Sequence, residues 1–242
     1  MSLWVILLAV VAFVVPTALV FGAGVAATRR FWIANPLVAP LYGTLGVAVA
    51  SWFTFLAYWL SPAIGIGFAS LLLVASVVLF AVGGVWRHWR AALPVGALIV
   101  GAIVFYLGFT YLWGTTGGVY NVVPTRFFNF RLPADNLLPG LFAQKLVDGV
   151  STHAMLGDWN GGDRPPLQSG FGLLMRPVVW LAELITGHAP TGPIPEAVSF
   201  AFDMLPELLW VPAGYALMRL LSFRPWAAIG GLCFAMVVPT ML

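Results

Sequence analysis

The chain has 242 residues, 61% of them apolar and only 8% charged, with a mean hydropathy of +0.98. Soluble globular domains carry about 25% charged residues, so this composition excludes a water-soluble domain and predicts a polytopic integral membrane protein. A net charge of +3 without a basic face argues against nucleic acid as a partner, and a single cysteine, Cys233, rules out disulfides within the chain.

A membrane-spanning helix needs about 20 mainly apolar residues. Leu3 to Ala27, Pro36 to Leu60, Ile64 to Trp86 and Ala91 to Trp113 meet that length, predicting four spanning helices within residues 1–114. The first has no basic leader and no small-residue cleavage site, so it reads as a retained helix. Gly22-Ala-Gly24 and Gly65-Ile-Gly67 imitate a dinucleotide fingerprint, but neither follows a strand. Small residues in membrane helices serve close packing.

Residues 115–196 are different: they hold 11 of the 19 charged side chains and six of the eight carboxylates. Beyond them, residues 197–242 hold two more apolar runs, Ala197 to Leu221 and Trp226 to Leu242. At about 1.5 Å per residue the last run only just crosses a bilayer.

Basic residues flanking short loops are retained in the cytoplasm. Arg29 with Arg30, Arg87 with Arg90, and Arg219 with Arg224 all fall on that side if the N-terminus is outside. The same orientation puts residues 115–196 outside, as a large extracytoplasmic loop. The expected location is the plasma membrane, as a multi-pass protein of a bacterial inner membrane. Within the loop, Leu167 to Gly187 is apolar but contains Arg176 and Glu183. Arginine at a helix centre costs about 2.5–3.5 kcal/mol on the insertion scale, so the expectation is an amphipathic helix in the outer interface.

The loop also contains a shorter helical pattern. Leu138, Leu141, Phe142 and Leu146 have helical spacing, with Asp135 or Asn136 as N-cap, Pro139 in the first turn and Gly149 as the stop. A turn-rich segment, Gly157 to Arg164, then leads through Asp158 and Asp163 into Pro165-Pro166. Capping alone would account for Asp135 and Asp163, and a turn for Asp158.

Asp135, followed by that short helix and then by Asp163-Arg164-Pro165-Pro166-Leu167, resembles the polytopic GT-C glycosyltransferases, the superfamily of protein mannosyltransferases and aminoarabinose transferases. These enzymes take sugars from polyprenyl-phosphate carriers. They have an acidic residue early in the first large outer loop, and many bacterial members have an Asp or His before Pro-Pro-Leu. The resemblance covers Arg131 to Ile185. It implies an all-α helix bundle, a polyprenyl-phosphate-sugar donor and an extracytoplasmic active site. Family members usually have one helix before this loop and about ten or more spans, whereas four helices precede it here and the chain ends within a sixth. The expectation that reconciles these is an N-terminal portion of a longer protein.

The chemistry asks for the same residue types. Inverting transfer needs a carboxylate to take the acceptor's hydroxyl proton while the carrier phosphate leaves, and a cation or metal ion for the charge building on that phosphate. Asp135 is the candidate base. Asp163 is a second acid that orients the acceptor or helps to hold a divalent metal through oxygen. Arg164 and Arg131 are candidate phosphate partners, and Asp158 and Gln168 further substrate contacts. The acceptor is unknown, and the lipid bilayer is the remaining partner. The rival from another class is a transporter or carrier-lipid flippase with Asp203 and Glu207, at i, i+4 spacing, lining a pathway. A non-catalytic subunit of a membrane complex is the third reading.

Overall fold

The computed structural model describes residues 3–112, 138–151, 166–186 and 205–237, and among these there are helices and turns but no strand. The first helix, α1 (Leu3–Ala27), contains Pro16, which cannot donate to the carbonyl four residues back. One residue later the Thr17 hydroxyl donates to the Phe13 carbonyl at 2.7 Å. The last carbonyls of α1 are also satisfied by side chains. Thr28 donates to Gly24 O at 2.7 Å, and the Trp32 indole, from the single turn α2 (Arg29–Trp32), donates to Val25 O at 2.7 Å.

After a 3-10 turn (Pro36–Val38), α3 (Ala39–Leu60) and α4 (Pro62–Gly83) form a helical hairpin. Its corner is Ser61, extended at φ −170 and ψ 142. A residue before proline is pushed out of the helical region, so Ser61-Pro62 ends one helix and starts the next. Gly84, left-handed at φ 63, closes α4, and the 3-10 turn Val85–His88 leads into α5 (Trp89–Leu112). The predicted third span therefore stops short of Trp86.

Among the described residues, Pro36–Leu60 and Pro62–Gly83 are two helices long and apolar enough to cross a membrane. Their outer surfaces fit that role. Leu71, Val74, Val78 and Val82 of α4 are all exposed at helical spacing, and a soluble monomer rarely shows so continuous an apolar face.

Glycines set the helix separations. A Cβ on Gly24 of α1 would lie 3.0 Å from the Gly46 Cα of α3, so the two backbones touch. Gly22 is covered by the Phe80 ring, Gly43 by the Phe21 ring and Gly65 by the Tyr58 ring. Small-residue packing thus describes Gly22, Gly24 and Gly65, whereas Gly67 faces open space.

The loop supplies α6 (Leu138–Val147), α7 (Pro166–Leu174) and α8 (Arg176–Thr186). The short-helix pattern is observed with its stop. Gly149 is left-handed at φ 66, and Val150 N donates to Lys145 O at 3.0 Å across the end of α6. Its Phe142, Ala143 and Leu146 are buried, while Leu141 is exposed.

The single amphipathic helix expected over Leu167 to Gly187 is instead two helices broken at Met175. Pro177 has no N–H with which to continue α7, and it begins α8 in a first turn, where proline is tolerated. Nor does α7 lie on the outside. Phe171, Leu173, Leu174 and Met175 are almost fully buried, and α7 packs chiefly against α3. Only α8 keeps an exposed apolar face, at Trp180, Leu181 and Leu184.

The fifth predicted span is also interrupted. Residues 205–208 are helical, Leu209 is a turn, and α9 (Trp210–Leu220) follows. Pro212 cannot donate to the Leu208 carbonyl, so the ladder breaks there. Thr44 of α3 shares its hydroxyl between Pro40 O at 3.1 Å and Leu209 O at 3.2 Å, tying this turn to the bundle. Ser222, left-handed at φ 66, ends α9 before α10 (Pro225–Val237). The turn after α4 touches α1, and α9 touches the Pro36–Val38 turn, which gathers the three basic turns at one end.

Candidate functional site

The first turns of α6 and α7 adjoin at the bundle's other end. Ser169, 2% exposed, donates its hydroxyl to the Pro139 carbonyl at 3.0 Å. Below that bond Phe142 meets Phe55 of α3 with ring centroids 5.8 Å apart, and Ala143, Leu146 and Leu173 complete one apolar cluster with Phe55, Tyr58 and Ala69. Gly170 is what lets α7 sit so close. A Cβ there would collide with the backbone carbonyl of Ser51 in the middle of α3.

Five of the predicted site residues, Asp135, Asp163, Asp158, Arg131 and Arg164, lie outside the described residues, as does Asp203. Gln168 is described and stands half-buried in the first turn of α7. Asp148, another loop carboxylate, accepts from the Gln144 amide at 2.8 Å across one turn of α6, which gives it a local role. Glu207 is exposed. Among the described residues no cluster of three His, Cys, Asp or Glu could hold a metal ion, and Asp163, the expected ligand, is outside them.

Tyr58 of this cluster and Arg176, three residues beyond its Leu173, are two buried groups that sequence reasoning did not select. Arg176 begins α8 yet is only 5% exposed, and its charge acts on the Tyr58 hydroxyl near the end of α3. Tyr58 is 2% exposed, and its hydroxyl has no hydrogen-bond partner among the described residues. The signal for Arg176 was visible, because an ionisable residue in an apolar run is a functional candidate; it was read only as an obstacle to spanning. Nothing in the sequence distinguishes Tyr58 from an ordinary interfacial aromatic. Compared with known proteins, the chain matches no family model, no curated protein and no solved structure.

Proposed function

We propose that this chain is a multi-pass membrane glycosyltransferase of the GT-C type, moving a sugar from a polyprenyl-phosphate carrier to an acceptor on the extracytoplasmic face. The Ser169 to Pro139 bond is the observation that supports this reading best. It joins the first turns of α6 and α7, and Asp135 precedes Pro139 by four residues while Asp163 precedes Pro166 by three.

In the proposed reaction Asp135 takes the proton of the acceptor hydroxyl as its oxygen bonds to the anomeric carbon. The bond from that carbon to the phosphate oxygen breaks, and the electron pair leaves with the carrier phosphate. Arg164 or Arg131 neutralises the charge that develops. Asp163 orients the acceptor or helps to hold a divalent metal ion. Gathering the three basic turns at one end supports an orientation with that end in the cytoplasm of a bacterial inner membrane.

The test is release of polyprenyl phosphate from a panel of polyprenyl-phosphate sugars in membranes containing the protein. Asp135→Asn should lower release about 100-fold or more without changing the melting temperature, because asparagine caps a helix about as well as aspartate. Equal release by both proteins removes Asp135 from the chemistry.

A further inference from the structure

We propose that the end of the bundle carrying the three basic turns is a binding surface for anionic phospholipid headgroups. The elements that form it, residues 24–44, 83–90 and 210–226, hold six of the chain's 11 basic residues and no Asp or Glu. Arg29, Arg30, Arg87 and Arg224 are exposed, and among the described residues no carboxylate pairs with them. These elements therefore leave their own positive field uncompensated.

Packing holds the turns together. A Cβ on Gly83, the last residue of α4, would collide with the Cβ of Ala26 at the end of α1, so the chain leaves these two helices side by side. One exit leads to Arg29 and Arg30, the other to Arg87. Helix α9, which leads on to Arg224, touches the Pro36–Val38 turn. Each turn is also fastened internally. The Trp32 indole pins the Arg29-Arg30 turn to Val25 O, and Arg219 donates to Phe223 O at 2.8 Å just before Arg224. Groups already held in place lose less freedom when they bind.

The side chains among the arginines decide which anion fits. Phe31, Ile33, Trp86, Phe223 and Trp226 are exposed on the same turns. Arg30 lies over the Phe31 ring at 4.6 Å, Phe31 stacks on Tyr42 of α3 at 6.1 Å, and Arg87 lies over the Trp86 ring at 5.3 Å. Nucleic acid or another soluble polyanion would meet the charge but leave these rings in water. A phospholipid layer meets both needs, because its phosphates accept from guanidinium N–H groups while aromatic rings are favoured at headgroup level. Basic clusters beside membrane helices recognise acidic headgroups in this way. The proposal depends on the bundle lying in a membrane and not on sugar transfer.

The experiment is thermal melting of the full chain in neutral-detergent micelles, titrated with phosphatidylglycerol or with phosphatidylcholine of the same acyl chains. Phosphatidylglycerol should raise the midpoint and phosphatidylcholine should not. At about 1 M salt, where the screening length is about 3 Å, the difference should vanish. An arginine near an anionic surface changes affinity about fivefold, so the triple variant Arg30→Gln/Arg87→Gln/Arg224→Gln should need about 100-fold more phosphatidylglycerol for the same protection. Arg224→Gln alone should need about fivefold more, which keeps the test decisive if the triple variant fails to fold. Lys145→Gln removes an equal charge from α6 at the other end and should titrate like the parent. Equal protection of the parent by the two lipids, an Arg224→Gln titration matching the parent's, or an equal shift in Lys145→Gln overturns the surface. Protection by a short DNA duplex at lower concentration than by phosphatidylglycerol overturns the lipid as its occupant.

Discussion

Gly170→Ala is the sharpest probe of how α7 is seated. The added methyl would meet the carbonyl oxygen of Ser51, with its carbonyl carbon at 2.8 Å and the Phe55 Cβ at 3.2 Å. The first two atoms are backbone and cannot rotate aside, so α7 must move off α3. Overpacking costs about 1–3 kcal/mol, and a backbone obstacle belongs at the top of that range. Alanine returns about 0.5–1 kcal/mol within a helix, leaving a net loss of about 2 kcal/mol. For a chain of this length each kcal/mol moves the midpoint by about 2–4 °C, so the melting temperature in micelles should fall by about 4–8 °C. Gly67→Ala is the matched control, since nothing lies within 4 Å of its added methyl, and it should hold or raise the midpoint. If Gly170→Ala melts with or above the parent while Gly67→Ala behaves as expected, α7 does not lie against the middle of α3.

The two left-handed turn residues should respond in opposite directions. Gly149→Ala, at φ 66, should lower stability by about 1 kcal/mol, and Ser222→Gly, also at φ 66, should raise it by up to about 1 kcal/mol; both are read by thermal melting. Phe171→Ala should cost about 3–5 kcal/mol, because the ring is 1% exposed and its loss leaves a cavity between α7 and the bundle; chemical denaturation in micelles measures it. For orientation, Ser151→Cys in a Cys233→Ser background should react with an impermeant maleimide on intact cells, since Ser151 is exposed and Cys233 would otherwise contribute its own signal. Labelling that requires permeabilised cells reverses the proposed topology.

Apolar run length, the break between Leu60 and Ile64, the α6 pattern and its Gly149 stop were all legible in the sequence. Each depends on local physics: hydrogen bonding along one helix, the steric demand of a proline, or a left-handed turn. Small residues at Gly22, Gly24 and Gly65 announced close packing, but which ring or backbone would fill each gap was not written there. Tertiary structure decided that Phe80, Gly46 and Tyr58 are those neighbours. It also decided the fate of the segment from Leu167 to Gly187. By local hydropathy and the presence of Arg176 this reads as one helix at an interface, because a charge is expensive in lipid. Folding offers a third environment, the interior of the bundle, where Gly170 lets α7 approach Ser51 and Arg176 is only 5% exposed. Residues 51 and 170 are far apart in sequence, and no local propensity encodes their meeting. Only the packing of α3 against α7 decides that this segment is buried rather than laid on an interface.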